Sequence, residues 1–149
     1  MGTDQCTLVL AGNSDAMYAL AGFYKASIPG IPVNRKESAK WGRRAVRAGH
    51  SGAERDYAIA LMSTPAAATL DASADGLKAI ATLQRNAAEG DALSLYWLGR
   101  WYLHKGTLAE DKVKIAAGLD LLERAKAGNG EGRRLALRYL EGYTGKVAP

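Results

Sequence analysis

The side chains of this 149-residue chain with the clearest capacity for covalent, proton-transfer or metal chemistry are His50, His104, Cys6 and the adjacent pair Glu110 and Asp111. The histidines stand far apart, with no cysteine or paired carboxylates close to either. A single cysteine forms no internal disulfide and no paired thiolate site for a metal. Glu110 and Asp111 precede a helical stretch, where carboxylates meet the positive end of the helix dipole. No serine occupies a nucleophile elbow, and the glycine-rich run at 128–132 lacks the lysine and spacing of a phosphate loop. The expectation is a chain that is not an enzyme and carries no catalytic residue, metal or cofactor.

Tyr18, Arg55, Tyr96, Trp97, Arg100, Arg134 and Arg138 offer a different chemistry. Tyrosine, tryptophan and arginine are enriched where one protein grips another, because rings supply desolvated area and guanidinium groups bind carboxylates directionally. What places these seven together is a repeat. Gly90 is followed by Ser94, Leu98, Gly99 and Tyr102, and weaker copies follow three other glycines. After Gly12 stand Ala16, Leu20, Ala21 and Tyr24; after Gly49, Ala53, Tyr57, Ala58 and Leu61; after Gly128, Gly132, Ala136, Leu137 and Leu140. The glycines lie 37, 41 and 38 positions apart, a period typical of stacked helix pairs. At roughly 100° per residue the repeated apolar positions share one helix face, and the seven binding candidates fall on positions facing away from it.

The helical pattern divides the chain into eight segments, at about 3–11, 13–25, 35–48, 51–64, 74–89, 91–104, 112–127 and 130–143. Asn13 or Ser14, Asn34 with Glu37, Ser51 with Glu54, and Asp91 are the expected N-terminal caps. The prolines and glycine of 27–33 predict a loop, and 64–73 is the longest linker. No stretch combines strand alternation with hairpin turns, so the fold class is all-α. The organisation expected is one domain over 3–145: a half unit at 3–12, units at about 13–49, 50–90 and 91–128, and a terminal helix at 129–143.

Composition agrees with an ordinary globular domain: 48% hydrophobic and 23% charged residues, with a net charge of +5 that favours an acidic partner without pointing to nucleic acid. The basic run Lys40, Arg43, Arg44 and Arg47 reads as a solvated outer face. No apolar run has the length of about 20 residues that a membrane-spanning helix needs. The segment 3–11 sits where the second helix of a preceding unit belongs, which leaves two readings: a degenerate N-terminal cap, or a longer natural chain begun by an export signal. The second, with a periplasmic or exported location over a cytoplasmic one, is favoured.

The second helices carry small residues 11 and three places before each unit-ending glycine, as in Ser38, Trp41, Ala45, Val46 and Gly49, or Ala117, Leu121, Arg124, Ala125 and Gly128. Together with Leu98-Gly99 and Tyr102, this pattern resembles the Sel1-like repeat, a relative of the tetratricopeptide repeat, from Gly12 to about Tyr143. The resemblance implies a right-handed α-solenoid of antiparallel helix pairs whose first helices line a concave groove. It also implies a bacterial protein-interaction module: an adaptor, an envelope scaffold or an immunity protein neutralising a secreted toxin. The alternative it implies is an enzyme of the β-lactam-binding or hydrolysing type. Units two and four depart from the pattern, with Tyr57 for leucine, Leu61 and Leu140 for tyrosine, and Leu137 for glycine.

Overall fold

The computed structural model describes residues 12–147. The helix expected at 3–11 lies outside the described residues. The rest is all-helical: α1 (Ser14–Lys25), α2 (Arg35–Arg47), α3 (Ser51–Met62), a 3-10 segment (Pro65–Ala72), α4 (Ala74–Ala88), α5 (Ala92–Leu108), α6 (Lys112–Lys126) and α7 (Gly130–Val147). No strand occurs among the described residues, only an isolated bridge between Ile28 and Ile31. No described helix is long and apolar enough to cross a membrane.

Caps explain where the helices begin. Asn13, Asn34, Ser73, Asp91 and Asp111 each accept a bond from a backbone N–H of the first turn, satisfying a donor that has no partner within the helix. At α3 the expected Ser51 cap is replaced. Ser51 is itself helical, and the preceding His50 turns Nδ1 onto the N–H of Ala53 at 3.1 Å. Left-handed glycines explain several of the ends. Gly49 and Gly90, with φ of 82° and 88°, close Schellman turns in which the next residue's N–H reaches back to Ala45 and Asn86. Glu110 does the same at the end of α5, with φ of 53°, although it has a side chain. In the last unit the left-handed residue is Gly130 rather than the unit-ending Gly128. The linker 64–73 is ordered rather than open: Pro65 starts a 3-10 segment, Thr69 kinks it, and buried Leu70 anchors it.

The chain forms two compact units, Met1–Tyr57 and Ala58–Pro149, with the division falling inside α3. In the first, α1 and α2 pack together. Ser38 donates its hydroxyl to the Ala21 carbonyl at 2.8 Å, and the Asn34 N–H bonds Tyr24 O at 2.9 Å, closing the loop between them. In the second, α5 packs against α4, α6, α7 and the 3-10 segment. Its crossing with α6 is built on glycine. A Cβ added to Gly118 would stand 2.7 Å from Leu103 N and 2.8 Å from Gly99 O, and one on Gly99 would stand 3.0 Å from Gly118 O. The side chains around this contact form the core, with Leu83 and Leu122 fully buried.

Candidate functional site

The seven candidate residues are distributed between the units, Tyr18 and Arg55 in the first and the other five in the second. In the first unit the two meet on Asp56. The Tyr18 hydroxyl donates to Asp56 Oδ2 at 2.6 Å, and Arg55 Nε lies 3.8 Å from Oδ1. His50 stacks on the Tyr18 ring with centroids 4.3 Å apart and directs Nε2 toward Asp15 Oδ1 at 3.1 Å. The hydrogen bond to Asp56, with burial and the carboxylate charge, raises the Tyr18 pKa above its ordinary 10.0. His50 thus ties the start of α3 to α1 through its cap and its stacking.

In the second unit, one face of α5 does most of the work. Trp97, Arg100, Trp101 and His104 recur at i, i+3, i+4 and i+7, so a single helix face carries all four. They line an open cleft of about 430 Å³ whose other walls are Met62, Ser63 and Thr64, the 3-10 segment, and Tyr139 of α7. The 3-10 wall is held to α5 by side chains. Trp101 Nε1 donates to Ala67 O at 2.8 Å, and Lys105 Nζ reaches Ala68 O at 3.0 Å and Asp71 Oδ1 at 3.2 Å.

Arg100 is the centre of this arrangement. Its guanidinium carbon lies 5.6, 5.2 and 5.0 Å from the ring centroids of Tyr96, Trp97 and Tyr139. Nη1 donates to the Tyr96 hydroxyl at 3.1 Å. Each ring face attracts the cation and fixes its position, by about 0.5 to 2 kcal/mol per contact. Among the described residues no carboxylate lies within 4.0 Å of it. The cation is therefore positioned by rings and a hydroxyl, with no ion-pair partner among the described residues.

Tyr96 corrects the sequence expectation. Its offset from Gly90 puts it on the face away from the repeat positions, yet it is only 4% exposed and belongs to the core cluster. The reason is that α5 has neighbours on several sides, so the face opposite its repeat positions is covered as well. Trp97 is half-buried, packing on the core while lining the cleft. Arg134 and Arg138 are exposed on α7 and do not line it. Sequence reasoning missed Tyr139 and the 3-10 wall. The spacing Leu135, Tyr139, Tyr143 marks an inward stripe on α7 that signals the first, since all three pack against the core. Nothing local signals the second.

Among the described residues no group of three or more His, Cys, Asp or Glu side chains could hold a metal ion. Comparisons with family models, with curated proteins and with solved structures found no match to this chain.

Proposed function

We propose that the chain is a non-enzymatic protein-interaction module, an α-solenoid of Sel1-like helix pairs, that grips an acidic protein partner through the cleft on α5. The partner class is a secreted toxin or an envelope component. The observation that carries the reading is Arg100, a cation held among three aromatic rings at a cleft wall with no carboxylate within 4.0 Å among the described residues. A partner carboxylate entering the cleft forms charge-assisted bonds with a guanidinium already oriented, while Trp97 and Tyr139 supply apolar contact around it. Packing of consecutive helices, α4 on α5 across the turn at Gly90 and α5 on α6 across the turn at Glu110, supports the repeat reading.

The test is capture of the partner from the source cell, followed by titration of the purified pair. Arg100→Glu is expected to weaken binding by at least about 2 kcal/mol, and Trp97→Ala by a similar amount. Lys40→Glu, in the other unit, is expected to leave it nearly unchanged. Melting temperatures measured alongside separate lost contact from lost fold. A folded Arg100→Glu protein that binds its partner normally overturns the reading, as does β-lactam turnover that Arg100→Gln abolishes.

A further inference from the structure

Six cations and one acid lie within α2, giving it a formal charge of +5. The whole chain also carries +5, so the other residues, 14 cations against 14 acids, are net neutral. The excess is further concentrated by helix geometry. At 100° per residue, Lys36, Lys40, Arg43, Arg44 and Arg47 fall within an arc of about 100°. All five are exposed, while Ala45, on the opposite side, is fully buried. The single acid, Glu37, lies only at 4.0 Å from Lys40. Trp41 borders the stripe, with the Arg44 guanidinium carbon 4.6 Å and Lys40 Nζ 5.8 Å from its ring centroid.

A second observation concerns the loop entering this helix. Ile28, Pro29, Gly30 and Ile31 form a tight turn, the Ile31 N–H bonding Ile28 O at 3.0 Å with Gly30 at φ 81°. Proline then glycine at its two central positions is the pattern of a type II turn. The turn presents apolar side chains to solvent: Ile28, Ile31 and Val33 are 36, 40 and 45% exposed. A rigid apolar projection therefore stands directly before a cationic helix in the same compact unit.

We propose that α2 and this loop form a docking surface for an anionic lipid bilayer. The exposed stripe attracts acidic headgroups, and Trp41 has the ring type that settles at the headgroup level. Ile28, Ile31 and Val33 enter the outer acyl region, which rewards apolar surface removed from water. The apolar turn is what favours a bilayer over nucleic acid, because phosphate binding by a cationic helix has no use for exposed isoleucine. The surface shares no residue with the cleft on α5, and the proposal stands or falls independently of that reading.

The test is co-sedimentation of the full chain with vesicles of phosphatidylcholine alone or mixed with phosphatidylglycerol, in about 0.1 M salt. Binding is expected only to the mixed vesicles, and to fall as salt rises. Each neutralised cation is expected to weaken partitioning about fivefold. The double variant R43E/R47E should therefore lose at least about 25-fold, while R43K/R47K retains binding. Ile31→Ser should weaken binding without changing its salt dependence. All substituted positions are exposed, and circular dichroism checks that each variant is folded. Equal binding to neutral vesicles, or no binding to the mixed ones, overturns the proposal. So does tighter binding to duplex DNA or RNA that Ile31→Ser leaves unchanged.

Discussion

Replacing Gly118 by alanine tests the α5–α6 crossing with the smallest possible perturbation, a single methyl group. In an open helix that change stabilises by about 1 kcal/mol, because alanine loses less backbone entropy than glycine. Gly142, in α7, has nothing within 4 Å of an added Cβ and so reports that gain alone. At Gly118 the new carbon would stand 2.7 Å from Leu103 N and 2.8 Å from Gly99 O, both backbone atoms that no rotamer change can move. Reaching an ordinary separation of 3.4 Å requires the helices to part by about 0.7 Å, and a close-packed interior resists that along the whole contact. Overpacking of this kind costs about 1 to 3 kcal/mol, and immobile neighbours place it at the upper end. The net expectation is that Gly118→Ala destabilises by about 2 kcal/mol, while Gly142→Ala stabilises by about 1. Gly99→Ala lies between them, since its nearest contacts are looser, at 3.0 to 3.1 Å, and one of them, the Leu122 Cγ, is not fixed by the backbone. Urea unfolding followed by circular dichroism reads all three. A Gly118→Ala protein as stable as Gly142→Ala would refute the close crossing.

Three further outcomes are expected. His50→Ala removes the cap of α3 and the ring stacked on Tyr18, and should destabilise by about 1 kcal/mol in urea, with His50→Asn recovering part of the loss through its own capping oxygen. Glu110→Gly should raise the stability of the second unit by up to about 1 kcal/mol, because a left-handed φ of 53° strains any residue with a Cβ; an unchanged midpoint would exclude that strain. Tyr18 should titrate above 10 and return toward it in Asp56→Asn, as read by NMR of ring-labelled tyrosine. Its folded pKa is raised, so this bond's contribution is fully present below pH 10 and fades as pH climbs through the raised value.

The all-helical fold was legible because its punctuation is local. Asn34 and Asp91 cap where their side chains can reach the N–H three residues on, and Gly49 and Gly90 stop helices by taking a conformation that other residues avoid. His50 was not legible as a cap, since histidine lacks the short oxygen that usually does this work. Tyr96 was misplaced for a different reason. Counting from Gly90 identifies one apolar face of α5, but the helix is apolar nearly all round, and such a helix is enclosed rather than half-exposed. The cleft was least legible of all. Trp97 and Arg100 stood out by type, but the wall opposite them depends on contacts such as that of Trp101 with Ala67, 34 residues away. Only the assembled chain brings those together.

The position of α5 also orders the molecule in time. Four neighbouring elements cover it, so no one of them can detach and leave its backbone amides exposed to solvent. Its amide protons should exchange with deuterium only when the whole second unit opens, making them the slowest there. The 3-10 segment packs on α4 with Leu70 buried and is bonded to α5 by Trp101 and Lys105, but it is short and kinked at Thr69, so its amides should exchange before those of α5. One wall of the cleft is thus expected to be the last part of its unit to open, and the facing wall to open before it.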